Sequence, residues 1–133
     1  MNTKILMTVT VVFLAVCGVS LQFLPSEIIR HFGVESGGIL PIFIQLIGAL
    51  YLGFAMMNWM ARSLVIGGIY ARPLSMGNLV HFTVGGIALV KFYISDQCSW
   101  VVWLAAVIYS LFAIVFAIVM FTHPKTAMAD NSK

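Results

Sequence analysis

Residues 100–121 read WVVWLAAVIYSLFAIVFAIVMF, apolar from end to end and without a charge. A helix that crosses the hydrocarbon core of a bilayer needs roughly 20 predominantly apolar residues. Hydrocarbon offers the backbone no hydrogen-bond partner, so such a run must be a helix that satisfies its own N–H and C=O groups. Working back along the chain, three more stretches meet the same criterion, at about residues 5–24, 39–60 and 76–94, the last being the least apolar. The expected fold is all-α: a polytopic membrane protein with a four-helix transmembrane bundle over residues 1–121 and a polar tail over 122–133.

The composition agrees. Of 133 residues, 62% are hydrophobic and 8% are charged, whereas a soluble domain carries about 25% charged residues. That leaves too little polar surface to cover a globule in water. The net charge of +3 comes from scattered Lys and Arg. Nucleic-acid binding requires a clustered basic face, so no nucleic-acid partner is expected. The two cysteines, Cys17 and Cys98, form no CxxC, which argues against a disulfide framework and the usual thiol redox chemistry.

Lys4 followed by an apolar run also describes a signal peptide, and Leu14-Ala15-Val16-Cys17 resembles a lipoprotein cleavage box. Val16 is too large for the residue before the cysteine, and the run continues to Leu24, beyond a typical signal core. A retained first helix is expected. Next, Pro25-Ser26-Glu27 reads as the start of a short amphipathic helix lying in the interface, with Ser26 as N-cap, Glu27 in the first turn and Gly33 at its end. The second connection, residues 61–75, contains Leu64-Val65-Ile66-Gly67-Gly68-Ile69-Tyr70, which is apolar for a loop. It reads as an interfacial loop with Tyr70 at headgroup level, since Gly67-Gly68 breaks a helix. A re-entrant segment lining a pocket is the alternative. Residues 95–99 read as a tight turn.

Four crossings place both termini and the second connection on one side. That side holds Lys4, Arg62, Arg72, Lys125 and Lys133, and the other holds Arg30 and Lys91. The excess of basic residues marks the cytoplasmic side. A cell (inner) membrane with both termini cytoplasmic is the expected location. Trp100 and Trp103 then mark the outer interface and Trp59 the inner one.

Ionisable groups within a membrane are costly and are functional candidates by default. His81 and Lys91 are the two here, both in the third span. Lys91 precedes Asp96 by five residues, about 7.5 Å along a helix. It reads either as a lysine reaching the outer surface to pair with Asp96, Glu27 or Glu35, or as a cation at the mouth of a pocket for an anionic headgroup or carboxylate. His81 reads as a hydrogen-bonded packing residue. One intramembrane histidine cannot give a haem two axial ligands, so no haem, metal or other cofactor is expected. Gln45 and Asn58 are polar positions of the second span that neighbouring helices would place level with Lys91 and with His81 and Asn78. The tentative ligand-binding set is therefore Lys91, Gln45, His81 and Asn58.

Small residues carry the packing. Gln45, Ala49 and Gly53 recur at spacing four with Gly48 beside them, and His81, Gly85 and Ala88 share a face with Gly86 adjacent. Such faces let backbones approach closely. The second and third spans are expected to pair tightly through Gly48, Ala49, Gly53, Gly85 and Gly86. No catalytic residue is expected: the four acids fall at interfaces or in the tail, and Tyr109 and Ser110 are read as mid-membrane hydroxyls without a base beside them.

Gln45-Leu46-Ile47-Gly48-Ala49-Leu50-Tyr51-Leu52-Gly53, with Arg72-Pro73-Leu74 opening the third span and the break at Phe23-Leu24-Pro25, resembles the small DoxX-like bacterial membrane proteins over about residues 5–121. The resemblance implies a four-helix bundle in a bacterial cytoplasmic membrane. The family includes accessory subunits of membrane redox systems, and it implies no active site here. The expected role is a small membrane binding or accessory subunit that recognises a lipid-like or amphiphilic molecule. Its partners would be the bilayer, a bound lipid, and a second copy or membrane complex. An oligomeric channel or transporter component is the alternative, and a membrane enzyme the third reading.

Overall fold

Proline sets where three of the helices begin. A proline in the first turn gives up an N–H that would have no intrahelical partner anyway, and Pro25, Pro41 and Pro73 all stand at such positions. The computed structural model describes residues 3–63, 71–96 and 99–121, the side chains of residues 3, 71 and 96 excepted. The order is α1 (Thr3–Phe23), α2 (Pro25–His31), α3 (Leu40–Ala61), α4 (Ala71–Asp96) and α5 (Trp100–Phe121), with no strand among the described residues. The fold is all-α. Four of the helices, α1, α3, α4 and α5, are long and apolar enough to cross a membrane.

Two boundaries differ from the sequence reading. The third span begins at Ala71 rather than at about residue 76, because Pro73 falls in the first turn, where a helix tolerates it. Arg72-Pro73-Leu74 thus belongs to the helix and not to the connection. In α2, Leu24 occupies the N-cap without a side-chain hydrogen bond and Pro25 follows it, so Ser26 is not the cap. The fixed φ of Pro25 starts this helix instead. Its end is as expected. Gly33 takes φ 73°, and its N–H donates to Arg30 O (3.0 Å) while that of Val34 donates to Ile29 O (3.3 Å). Those two bonds are a Schellman closure, which favours glycine at the left-handed position. Glu27 in the first turn and Arg30 and His31 in the last oppose the helix dipole favourably. Pro25 and Ile29 point inward.

The chain divides into two compact units, Met1–Ser63 and Leu64–Lys133. In the first, α1 and α3 pack along each other with α2 against both. The pair is antiparallel, since Gln22 lies level with Gln45, and Gly18 with Gly48 and Leu52. At the crossing there is no room for side chains. A Cβ on Gly48 would stand 2.9 Å from Gln22 N and 3.0 Å from Gly18 O, and one on Gly18 would stand 2.8 Å from Leu52 Cγ. The buried row on α1 continues through Met7, Thr10 and Leu14, and that on α3 through Ala55, Asn58 and Ala61. Thr10 Oγ1 donates to Leu6 O (2.9 Å) and Asn58 Nδ2 to Phe54 O (2.9 Å), so these polar side chains return to their own helix.

In the second unit α4 packs on α5. The buried row of α4 runs through Ser75, Asn78, Phe82 and Gly86. Phe82 is fully buried and is the centre of an aromatic cluster. It stacks on Phe112 (centroids 4.6 Å, planes 17° apart) and on Phe116 (5.9 Å, 12°), and meets Tyr109 edge to face (5.2 Å, 72°). Offset and edge contacts of this kind are each worth about 0.5–1.5 kcal/mol beyond area burial.

The expected tight pair of the second and third spans joins residues of different units. Inside the units, α3 has α1 as its partner and α4 has α5. Gly53 is not at a close contact: a Cβ there would meet nothing within 4 Å, and Ala49 and Ala88 are exposed. The physical reason is periodicity. At 3.6 residues per turn, a strict spacing of four drifts about 40° per step. The row 45–49–53 therefore walks off the packed face, which follows steps of seven and three through 48, 55, 58 and 61. The loop at 64–70, with the interfacial and re-entrant readings attached to it, and the tail at 122–133 lie outside the described residues, as do positions 97–98 of the third connection.

Candidate functional site

Two glycines and a ring shape the outside of the second unit. Tyr109 leans over α4, and a Cβ on Gly85 would stand 2.7 Å from its Cε1. Gly86 faces the α5 backbone, where a Cβ would be 3.5 Å from Tyr109 Cβ and 3.7 Å from Ser110 N. Around Gly86 the two helices border a groove of about 520 Å³. Phe82, Ile87, Val90, Ile94, Ala113 and Ile114 line it, with Gly86 among them. Four polar residues join this lining: Lys91 and Ser95 toward one end, Ser110 and Thr83 deeper.

Lys91 is exposed on α4 and borders the groove. It lies five residues before the helix ends at Asp96, about 7.5 Å at 1.5 Å per residue. Because α4 and α5 run antiparallel, that end also carries Trp100 and Trp103, which are exposed, with Tyr93 partly so. Exposed Trp and Tyr at a helix end form the aromatic belt that sits at headgroup level. The ammonium of Lys91 is thus within reach of the headgroup layer, while the groove below it descends into the hydrocarbon. Of the expected partners of Lys91, the side chain of Asp96 is outside the described residues, and Glu27 and Glu35 belong to the first unit.

The other anticipated site residues are not among those that line the groove. Gln45 is half-buried in the first unit, where its Nε2 donates to Gln22 O at 3.4 Å across the α1–α3 crossing. Asn58 is fully buried in the same unit. His81 is half-buried on α4, with Nε2 at 3.4 Å from Tyr109 Oη and its ring 5.6 Å from the tyrosine ring. This corrects the reading of Tyr109 as a hydroxyl with no base beside it: an antiparallel α4–α5 pair brings residues 28 positions apart to the same level. Of the small residues, Gly48 closes α1 on α3, Gly85 and Gly86 close α4 on α5, and Gly86 is also the only glycine of the groove lining.

Three contributors were not singled out from sequence. Gly18 is the counterpart of Gly48, and the signal was its spacing of four from Leu14 within an apolar run. Phe82 and Thr83, next to His81, were hidden because an apolar helix in a membrane does not show which side faces protein.

A second groove, about 440 Å³, runs along α1 and is lined by Thr8, Val9, Val12, Phe13 and Val16, without a charged residue. Among the described residues no group of three His, Cys, Asp or Glu could hold a metal ion. Comparison of the chain with known protein families, with curated proteins and with solved structures finds no match.

Proposed function

We propose that this protein is a small membrane subunit that binds an anionic amphiphile, with the chain in the α4–α5 groove and the head at Lys91. The observation that carries this reading is the placement of Lys91 on the rim of an apolar groove. Below Lys91 the groove follows eight residues of α4 down to Thr83, about 12 Å. One leaflet of a bilayer has about 15 Å of hydrocarbon, so the groove takes the greater part of one extended acyl chain. Lys91 supplies a charge where the local dielectric is low, and an anion there gains more than it would in water. A lysine that only reached for solvent would not need a groove below it. The DoxX-like resemblance adds the setting of a bacterial cytoplasmic membrane.

Native mass spectrometry from mild detergent tests the binding. The unaltered protein should retain an anionic lipid. Lys91→Met keeps the stem without the charge and should lower that retention at least about tenfold, equivalent to ~1.4 kcal/mol, with the melting temperature unchanged. Equal retention by the two proteins would refute the proposal.

The orientation belongs to the same reading. Five Lys and Arg on the side of the termini against two on the other put both termini in the cytoplasm, and the groove mouth at Lys91 then opens to the outer leaflet. Reporter fusions after Lys133 and in the turn between α4 and α5 should give opposite signals, cytoplasmic for Lys133. A periplasmic signal from Lys133 would invert the leaflet.

A further inference from the structure

The groove has a second polar level, and its geometry says what kind of chain it takes. Within an apolar helix a Ser or Thr hydroxyl normally donates to the carbonyl four residues earlier. Thr8, Thr10, Ser20 and Ser110 do so here, to Lys4 O, Leu6 O, Val16 O and Ala106 O, at 2.8–2.9 Å. Thr83 does not, and among the described residues its hydroxyl has no hydrogen-bond partner. It is exposed on the groove lining. Its place is near the middle of α4, twelve residues after Ala71 and thirteen before Asp96, so in a membrane it meets hydrocarbon. A hydroxyl in hydrocarbon without a partner is unfavourable. Ser110 lines the same groove from α5, level with Gly86 and so about one helical turn nearer Lys91 than Thr83 is. Its proton is given to Ala106 O, and its oxygen keeps lone pairs free to accept.

From this we infer that the amphiphile bound in the α4–α5 groove carries an oxygen function, a hydroxyl or keto group, partway along its chain, and that Thr83 and Ser110 receive it. The inference rests on the proposed role of this groove. Thr83 is eight residues before Lys91, about 12 Å deeper at 1.5 Å per residue, and Gly86, level with Ser110, is about 7.5 Å deeper. The oxygen therefore sits mid-chain and not beside the head. A hydroxyl on the ligand can accept from Thr83 and donate to Ser110, and a keto group can accept from Thr83. The same pair provides selectivity. Ordinary acyl chains of the surrounding bilayer carry no oxygen at this depth, so any of them could fill the apolar lining, but none could satisfy Thr83. Lys91 selects for charge, and the hydroxyl pair selects for an oxygenated chain.

The test titrates the purified full-length protein in mild detergent with stearate and with 12-hydroxystearate, reading bound ligand by native mass spectrometry. The unaltered protein should prefer 12-hydroxystearate by about tenfold or more. Thr83→Val replaces the hydroxyl by a methyl of similar shape and should erase the preference, so that the two ligands bind this variant equally. Lys91→Met should weaken both ligands together. Melting temperatures of the variants establish that the fold is retained, and Thr83→Ser, which restores a hydroxyl, should recover the preference. Equal binding of the two ligands, with both lost in Lys91→Met, would overturn the oxygenated chain and leave the anionic site standing. A preference that survives Thr83→Val would also overturn it. No Lys91-dependent binding of either would overturn the site itself.

Discussion

Gly48→Leu is expected to unfold the first unit in detergent, or to lower its melting temperature more than any other single change on α1 or α3. The neighbours a side chain would strike are backbone atoms, Gln22 N at 2.9 Å and Gly18 O at 3.0 Å, with Leu21 Cβ at 3.1 Å. None of them can rotate out of the way, so α1 and α3 would have to separate. Overpacking typically costs about 1–3 kcal/mol where side chains give way, and a rigid backbone puts this case at the upper end or beyond it. Helix pairs in lipid depend on such contact, because there is little hydrophobic gain in leaving one apolar medium for another. Separating the backbones would also weaken the bond from Gln45 to Gln22 O. Gly53→Leu on the same helix is the control. Nothing lies within 4 Å of its Cβ position, so it should change stability by no more than about 0.5 kcal/mol, as surface substitutions do. Equal melting of the two variants would show that the crossing at Gly18 and Gly48 is not where the helices close.

Phe82→Ala is expected to have the largest effect in the second unit. The ring is fully buried, and its removal takes away the stacking on Phe112 and Phe116 and the edge contact with Tyr109 at once. Such a substitution costs about 3–5 kcal/mol in soluble cores through lost transfer and an unfilled cavity. In detergent the transfer share shrinks, while the cavity and the lost ring contacts remain, leaving at least about 2 kcal/mol. The melting temperature should fall sharply, and amphiphile binding should weaken with it, since Phe82 also lines the groove. Phe82→Leu, which fills most of the volume, should restore a large part of the stability. If Phe82→Ala melts with the unaltered protein, the aromatic cluster does not hold α4 on α5.

What the sequence shows plainly is the membrane fold. Charge-free runs such as 100–121 are long enough to decide the number and rough position of the spanning helices, and the turn chemistry at Pro25 and Gly33 decides the short helix between two of them. Helix pairing is much less legible. In water the packed face of a helix is the apolar one, but here the outward faces carry Val, Ile and Leu as well, so apolar periodicity gives no side. Small residues were the remaining signal. Gly48 closes α1 on α3 and Gly85 and Gly86 close α4 on α5, while a Cβ on Gly53 meets nothing within 4 Å; the expected pairing of α3 with α4 joins different units. For the site, Lys91 stood out because a cation is rare in such a helix. Thr83 did not, because a threonine in an apolar span is unremarkable until its missing bond to its own backbone is seen.

The central claim is that the α4–α5 groove holds an amphiphile by its chain with the head at Lys91. It is tested most directly by photolabelling the protein in vesicles with a fatty acid that carries a diazirine in its chain, followed by mapping of the adducts. The two grooves provide an internal comparison, because the α1 groove is of similar volume and more apolar but has no charged lining residue. The account predicts adducts concentrated on α4 and α5 at Ile87, Val90 and Ile114, displaced by unlabelled fatty acid and strongly reduced in Lys91→Met. Adducts spread equally over Val9, Val12 and Val16 of α1, and unchanged by Lys91→Met, would contradict it.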